Sequence, residues 1–391
     1  MDVAVIIPLF NGSRWIRQTL NSVFCQSHPP KEVVIVDDGS EDESLEIIKS
    51  FSAIKLLKNP GKGSQFARNF GLQNTTAPLV AFLDQDDIWH PEHLRLMSKI
   101  LEQFPESPAA VASCFHFYSE KRLVFPSPIS NFQQFNPWEN FPTNSVATPS
   151  SVVIRRNALN LIGGWSNQFT GSACVDHYMW LRLSVNHSLV RNNSCTVGYR
   201  RHKTSQGNAL RLQNIQRLID IHKTTLNDAL SYRIALFPQD SFFLQKRLDS
   251  LINMSGIVEA AITLNYSLLD DSVIAFEESL ADESTAFIES ICTLLLWFLY
   301  PYLEPEQPTL KTLLKGWTNK AEKTRQAFRS RIALSRILPR HLLAHPFDLY
   351  LWALLAEFVN IISPKFLQAS RRFLIAYAKN KSSSKKKEAR K

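Results

Sequence analysis

The stretch LVAFLDQDD, residues 79–87, joins an apolar run of strand length directly to three carboxylates. Two earlier runs have the same form, VAVIIPLF at residues 3–10 and EVVIVDD at residues 32–38, and helix-like segments separate the three. Apolar runs of this length that alternate with helical patterns predict a parallel sheet with helices on both faces. The fold class that the sequence predicts is therefore α/β.

Polar residues follow each of these predicted strands. In an open sheet of this kind, ligands bind at the carboxyl ends of the strands, where Asn11, Asp37, Asp38 and residues 84–87 are predicted to gather. An acidic turn after one strand can also be ordinary turn or helix-capping chemistry. Two such clusters at neighbouring strand ends favour a binding site, because like charges repel unless a cation or a donor-rich ligand lies between them.

Length and cysteine usage limit the class of protein. A chain of 391 residues has the length of two domains, or of one domain with a large extension. Its five cysteines are scattered and show no Cys-x-x-Cys pair or Cys/His spacing of a zinc site, which indicates reduced thiols in a cytoplasmic protein. The N-terminus has no basic segment before its apolar run, so it predicts a first strand rather than a signal peptide.

The positive charge is concentrated at the C-terminal end. The net charge is +9, and residues 379–391 contain seven Lys or Arg and one Glu, a balance of +6. Two interpretations stay open for this tail: a disordered, solvated segment, or a segment that binds an anionic membrane surface. Nucleic acid is not expected as a partner of this tail.

Four motifs in order resemble the nucleotide-sugar-binding half of the family 2 glycosyltransferases, which have a GT-A fold. They are VAVIIPLFNGSRWIRQTLNSVFCQ, EVVIVDDGSEDES, GSQFARNFGL and APLVAFLDQDD. The resemblance runs from residue 3 to about residue 207. It implies a GT-A domain with a mostly parallel central sheet at residues 1–208, followed by an α-helical region of unknown role at 209–378 and the basic tail at 379–391.

The resemblance implies a site for a nucleotide-diphosphate sugar and a divalent metal, Mn²⁺ or Mg²⁺. Asp86, the second acid of the D-x-D element, is the implied metal ligand, with Asp87 behind it. Carboxylates and phosphate oxygens commonly hold such a cation, which neutralises a diphosphate leaving group. Asp37 is expected at the base, Asp84 at the ribose and Arg68 at the diphosphate or base. The full set of implied donor-binding residues is Pro8, Phe10, Asn11, Asp37, Arg68 and Asp84.

Two later segments resemble the acceptor half of such domains. TPSSVVIRRNALNLIGGW, residues 148–165, predicts a strand and a helix followed by a glycine turn. CVDHYMWLRL, residues 174–183, matches a segment in which the family has a Glu-Asp pair ahead of W-x-R-L. Val175 replaces the glutamate here, and Asp176 matches the general base. The alternative for Asp176 is an aspartate that interacts with the dipole at a helix N-terminus.

YRRHKTSQGN, residues 199–208, resembles the motif that closes the domain. His202 is therefore a candidate second metal ligand, or it holds the pyrophosphate together with Arg200 and Arg201. A lone histidine can also be purely structural.

The chain beyond residue 209 has the pattern of amphipathic helices. Its two most apolar runs, residues 291–300 and 349–362, are shorter than the roughly 18 to 20 residues that span a bilayer, which favours buried core helices. The basic amphipathic segment at residues 320–340 is of a kind that can lie on a membrane surface.

These features predict an enzyme: a metal-dependent, inverting glycosyltransferase that moves a sugar to an acceptor hydroxyl in glycan, cell-surface polysaccharide or glycolipid synthesis. The acceptor would be a glycan or a lipid-linked molecule, and the protein would be cytoplasmic, on the inner face of the membrane. The alternative is a non-catalytic sugar-nucleotide-binding or scaffold protein, an interpretation that Val175 favours. Residues 115–144, rich in Phe, Pro, Ser and Asn, are the expected location of acceptor choice.

Overall fold

The computed structural model describes residues 1–117, 131–168, 174–202 and 215–263, together with the separate positions 125, 128, 271, 272, 275, 276, 278 and 279. The chain divides into two compact units, Met1–Leu244 and Gln245–Lys391. All residues predicted above for the donor, metal and acceptor sites belong to the first unit.

A nine-stranded mixed sheet forms the centre of the first unit, in the order β3-β2-β1-β4-β8-β6-β9-β5, and β7 pairs with β9. The strands are β1 (Val3–Leu9), β2 (Glu32–Asp37), β3 (Lys55–Lys58), β4 (Leu79–Phe82), β5 (Ile88–Trp89), β6 (Ala109–Phe117), β7 (Phe132–Phe135), β8 (Val152–Arg155) and β9 (Leu189–Arg200). The first four strands in that order are parallel to one another, and β8 joins them antiparallel to β4. The predicted α/β fold class is confirmed.

Burial explains why β1 is central. Residues 3–7 are completely inaccessible to solvent, and Ile6 pairs with Val34 of β2 on one side and with Phe82 of β4 on the other. A strand that helices cover on both faces has no polar face, which is why its sequence is an unbroken apolar run. The same register brings the carboxyl ends of β1, β2 and β4 to one edge of the sheet.

Within the described part of the first unit, six helices cover the sheet and connect its strands: α1 (Ile16–Phe24), α2 (Ser44–Lys49), α3 (Ser64–Gln73), α4 (His93–Gln103), α5 (Arg156–Leu161) and α6 (Val175–Leu183). On α1, Ile16, Leu20 and Val23 are buried and recur at the spacing of one helix face. On α3, a Cβ added at Gly71 would lie 2.4 Å from Ile6 Cγ2, so α3 packs against β1 at a distance that only glycine allows.

The predicted strand, helix and glycine turn are found at β8, α5 and Gly163–Gly164. Both glycines have left-handed backbones, with φ of 72° and 73°. The side-chain amide of Asn69, on α3, accepts a hydrogen bond from Trp165 N at 2.9 Å and donates one to Trp165 O at 2.8 Å. These two bonds attach the turn to α3 and fix the position of Trp165.

A seventh helix, α7 (Ile215–Leu236), packs against α6 within the first compact unit. The Tyr178 hydroxyl donates to a carboxylate oxygen of Asp228, and the Cys174 thiol contacts the imidazole of His222. The structure therefore associates α7 with the sheet domain, whereas the division at residue 208 stays a prediction.

The eighth helix, α8, covers Ser241–Thr263. Among the described helices, none combines the length and apolar character needed to cross a membrane. The apolar runs at 291–300 and 349–362, the basic segment at 320–340 and the tail at 379–391 lie outside the described residues. The four described cysteines form no disulfide with one another.

Candidate functional site

Asp37 is the last residue of β2 and lies at the predicted edge. Its carboxylate accepts hydrogen bonds from Ser40 N at 3.0 Å and Gly39 N at 3.3 Å. The turn chemistry considered as an alternative from the sequence is thus present, and it fixes the carboxylate in place. The Asp37 carboxylate can still accept hydrogen bonds from a ligand, because its two oxygens can accept about four in total.

Asp38 performs a structural task beside it. Its carboxylate accepts hydrogen bonds from Asn59 Nδ2 at 2.6 Å and from Gly63 N at 2.8 Å. These two bonds attach the loop after β3 to the end of β2, next to Asp37.

The loop after β1 is hydrogen-bonded to the turn that follows β2. Asn11 adopts a left-handed backbone with φ of 47°, donates its N–H to Ser40 Oγ at 3.0 Å and accepts from Glu41 N at 2.9 Å. The neighbouring Phe10 is 54% exposed, and Pro8 is half-buried. An exposed aromatic ring at this edge is available for contact with a planar ligand.

Gln85, the central residue of the D-x-D element, makes a contact with Phe10 that the sequence did not predict. Its amide accepts from Phe10 N at 2.8 Å and donates to Phe10 O at 2.9 Å, which reproduces the pairing of one strand residue with another. The contact leaves no room for a side chain at Gly12, since an added Cβ would lie 2.7 Å from Gln85 Oε1. Gln85 thus couples the acidic turn to the loop that carries Phe10.

Asp84 and Arg68 form an ion pair, with 2.6 Å between Asp84 Oδ1 and Arg68 Nη2. The Arg68 guanidinium also lies 4.6 Å from the centroid of the Trp165 ring, so the side chain is enclosed rather than on the helix surface. Burial raises the pKa of Asp84, the charge of Arg68 opposes this effect, and the charge of Asp86 adds to it. Among the described residues, the buried Arg68 Nε has no hydrogen-bond acceptor.

Asp86 and His202 lie together, with 2.6 Å between Asp86 Oδ2 and His202 Nε2. Each side chain is 19% exposed, so both can be reached from the solvent. The structure therefore brings together the two residues predicted as metal ligands, although they are 116 positions apart in the chain. No group of three or more His, Cys, Asp or Glu side chains suited to a metal is found among the described residues.

Asp87 is fully buried and supports the acidic turn from inside. It accepts hydrogen bonds from Ser150 Oγ at 2.6 Å, Thr148 Oγ1 at 3.2 Å and Arg200 N at 2.9 Å. Burial, followed by the charges of Asp86 and Asp84, raises the pKa of Asp87 well above its ordinary value. Three carboxyl groups are held in one turn partly because this one is protonated more readily than a normal aspartate.

Arg200 is a second support of the turn. Its guanidinium is buried between the rings of Trp15 and Phe117, with centroid distances of 4.2 and 4.4 Å, and its Nε donates to Asp86 O at 2.7 Å. A guanidinium enclosed in this way stabilises the backbone of the acidic turn at residues 84–87. The sequence-based alternative in which Arg200 holds a diphosphate disagrees with this burial, whereas Arg201 is half-buried beside Tyr199.

Asp176 lies in the first turn of α6. Its Oδ1 accepts from His177 N at 2.7 Å and its Oδ2 accepts from Asn144 Nδ2 at 3.3 Å. Burial raises its pKa to about 6, the charge of Arg68 opposes this shift, and that of Asp84 adds to it. Val175 is 3% exposed and packs in the apolar core with Trp165 and Met179.

Residues 4–163 match the family model described as glycosyl transferase family 2. This region is a family 2 glycosyltransferase domain. Its curated relatives include an uncharacterized glycosyltransferase of Rickettsia conorii, 35% identical over 104 residues that cover 26% of this chain and 17% of that protein. Glycosyltransferase GlyA of Streptococcus pneumoniae is 30% identical over 127 residues, which cover 32% of this chain and 18% of the relative. The chain thus spans less than a fifth of the length of these two relatives.

Solved structures agree with the GT-A fold of the family 2 domain. Residues 1–349 of Staphylococcus aureus TarS in complex with UDP-GlcNAc superimpose with a TM-score of 0.54 at 16% identity, over 81% of this chain and 92% of that one. The same protein in complex with UDP gives a TM-score of 0.50 at 15% identity, over 85% of this chain and 93% of that one. At this identity the likeness establishes the fold alone.

The sequence motifs do not identify the residues that hold the predicted site residues in place. They are Thr148 and Ser150, which donate to Asp87, Gln85, which binds Phe10, and Asn144, which binds Asp176. Thr148 and Ser150 belong to the quoted TPSS segment, so a hydroxyl-rich turn before a strand was the available signal. The assignments of roles to Asp37, Asp84, Asp86, Asp176 and His202 remain predictions.

Proposed function

We propose that the chain is a glycosyltransferase that moves a sugar from a nucleotide-diphosphate sugar to an acceptor hydroxyl. The main support is the match of residues 4–163 to the family 2 model, together with the Arg68–Asp84 and Asp86–His202 pairs at the sheet edge. A carboxylate whose pKa is about 6 is suited to accept a proton near neutral pH.

The proposed donor binds along the edge formed by β1, β2 and β4. Asp37 and the exposed Phe10 would contact the base, with Pro8 and Asn11 beside them, and Asp84 would contact the ribose. Arg68 carries a planar cation, which suits a diphosphate oxygen. The complexes of TarS with UDP-GlcNAc and UDP support a nucleotide-diphosphate sugar as the donor class.

The residues present fit a divalent cation, Mn²⁺ or Mg²⁺, between Asp86 and His202. A carboxylate oxygen and an imidazole nitrogen are suitable donors for a first-row metal, and they leave other positions for phosphate oxygens and water. The two atoms are hydrogen-bonded at 2.6 Å here, so they would have to move apart to share a cation. When bound, the cation would neutralise the negative charge on the diphosphate leaving group. His202 and Asp86 would then be the protein's two ligands.

The proposed reaction is an inverting displacement. An acceptor hydroxyl oxygen forms the new bond to the anomeric carbon while the bond from that carbon to the diphosphate oxygen breaks. Asp176 takes the hydroxyl proton, and the electron pair of the broken bond leaves with the nucleoside diphosphate. Inversion is the stereochemical outcome of this single step.

The test of this function is a donor panel. Purified full-length protein is incubated with UDP-, GDP- and dTDP-sugars, with Mn²⁺ or Mg²⁺, and release of the nucleoside diphosphate is measured. We expect one class of donor to be hydrolysed slowly in a metal-dependent way, because water can replace the acceptor hydroxyl. Absence of release from every donor, with or without the candidate acceptors, would contradict the proposal.

A non-catalytic sugar-nucleotide-binding or scaffold protein is the second candidate, because Val175 is buried in the apolar core where the family pattern has glutamate. The same panel separates the two functions when binding is measured by calorimetry alongside turnover. Tight binding of a nucleotide sugar without any release of nucleoside diphosphate would favour the non-catalytic protein.

We further propose that the acceptor is a glycan or lipid-linked molecule and that the basic C-terminal segments hold the protein on the cytoplasmic face of an anionic membrane. The motivation is the sequence of residues 320–340 and 379–391, which lie outside the described part. Near an anionic surface, each basic residue contributes on the order of 1 kcal/mol, and salt weakens the attraction.

Deleting residues 379–391 is expected to move the protein from sedimented phosphatidylserine-containing liposomes to the supernatant at low salt, because six net charges are removed. Donor hydrolysis in solution should not change, and neutral phosphatidylcholine liposomes serve as the control. If the full-length protein does not sediment with the anionic liposomes at low salt, membrane docking is contradicted.

A further inference from the structure

The orientation of Asp176 depends on a contact from outside its own helix. Val175, directly before it, is apolar and packed in the core, so it offers no polar group to the carboxylate. One carboxylate oxygen is occupied by His177 N of the same helix. The other, Oδ2, accepts a hydrogen bond from Asn144 Nδ2 at 3.3 Å.

The orientation of the Asn144 amide follows from a second bond. Its Oδ1 accepts the N–H of Val146 at 2.9 Å, and Val146 is buried in the core. A backbone N–H can only donate, so the atom that faces Val146 must be the oxygen, and the amide nitrogen must then face Asp176. Arg191 Nη2 donates to Ser145 O at 2.5 Å, which secures the backbone between Asn144 and Val146.

We infer that Asn144 is a positioning residue for the general base: its amide orients the Asp176 carboxylate and favours the ionised form that accepts the proton. A donor hydrogen bond stabilises the charged form of a carboxylate, which opposes the effect of burial. The inference rests on the proposed function, since it assigns Asn144 a role only if Asp176 is the base.

Other groups also act on Asp176, and they come from several elements. Arg68 of α3 and Asp84 after β4 affect it electrostatically, with opposite signs. His177 of α6 has a pKa lowered to about 3 by burial, and burial raises the pKa of Tyr199 on β9, so both are neutral near pH 6. Asn144 differs from these groups because its amide does not titrate.

The test compares pH profiles of donor hydrolysis for the wild type and for Asn144→Ala and Asn144→Asp. Activity requires the ionised base, so it rises with pH through the pKa of Asp176. Loss of the amide donor in Asn144→Ala should move this acidic limb upward by roughly half a unit to one unit. The rate should fall about threefold at pH 6 and change little at pH 8, with the donor KM unaffected.

Asn144→Asp disturbs the local structure less than Asn144→Ala, because it is isosteric and keeps an oxygen that accepts the Val146 N–H. It places a second carboxylate against Asp176, so we expect a larger upward shift of the limb than in Asn144→Ala. Asn157→Ala is the matched control: Asn157 is also exposed and accepts a local N–H, that of Ala158 on α5. Its profile should equal that of the wild type.

Suppose that Asp176→Asn abolishes hydrolysis but the acidic limb of the pH profile stays in place in both Asn144 variants. This result would overturn the inference and leave the base assignment intact. Normal hydrolysis by Asp176→Asn would overturn the base assignment and the inference together. Failure of the wild type to hydrolyse any donor would contradict the proposed function itself. The three outcomes are distinguishable in one set of assays.

Discussion

Replacing Asp176 with asparagine should lower the rate of sugar transfer by about a hundredfold or more, because general-base assistance is worth at least that much. The substitution keeps the size and shape of the side chain at the start of α6 but removes its ability to take a proton. Binding of the donor, measured by calorimetry, should be nearly unchanged. In the wild type, the rate should rise with pH through about pH 6, the value to which burial raises the pKa of Asp176.

Asp220→Asn provides the control for this substitution, since Asp220 is exposed on α7 and the exchange is chemically identical. Its transfer rate should equal that of the wild type. If Asp176→Asn retains a rate within a few-fold of the wild type on its acceptor, another group takes the proton, and the role of α6 is then structural.

Replacing Asp86 with asparagine should remove the dependence of donor binding on metal. An amide is a poor ligand for Mn²⁺ compared with a carboxylate, and only two protein ligands are proposed, so at least a tenfold loss of affinity in the presence of Mn²⁺ is expected. Titration of the nucleotide sugar with Mn²⁺, and again with EDTA, measures this loss. The fold should persist, because Asp86 is partly exposed at the end of a turn.

His202→Gln should weaken the metal response in the same direction, whereas Asp220→Asn should leave it unchanged. Equal affinities of wild type and Asp86→Asn with Mn²⁺, together with equal responses to EDTA, would contradict the assignment of Asp86. Metal-independent binding by the wild type would instead show that Asp86 and His202 are an ordinary hydrogen-bonded pair.

The sheet could be predicted from the sequence because a strand that is buried on both faces has an unbroken apolar sequence. Residues 3–7 of β1 are entirely inaccessible, and the corresponding sequence is an unbroken apolar run. The convergence of Asp37 with residues 84–87 follows from the parallel order of the strands. The mixed part of the sheet was not predictable in this way, because β8, β6 and β9 pair across long separations that no local pattern specifies.

The supporting contacts were not predictable for a related reason. Gln85 binds Phe10 across 75 positions, and Asn144 binds Asp176 across 32. Each contact joins two loops whose proximity is decided by the packing of the whole domain, while the residues themselves belong to types that are common in any loop. Arg200 illustrates the converse, since a motif suggested a ligand contact and the structure encloses its guanidinium between two rings.

Anomalous diffraction tests the central claim most directly. Crystals of the full chain would be grown with Mn²⁺ and the nucleoside diphosphate that the donor panel selects, and data would be collected at the manganese absorption edge. We expect one anomalous peak between the Asp86 carboxylate and the His202 imidazole, in contact with the diphosphate, and the base beside Asp37 and Phe10. A nucleotide bound away from this sheet edge, or a manganese peak that neither Asp86 nor His202 contacts, would contradict the account.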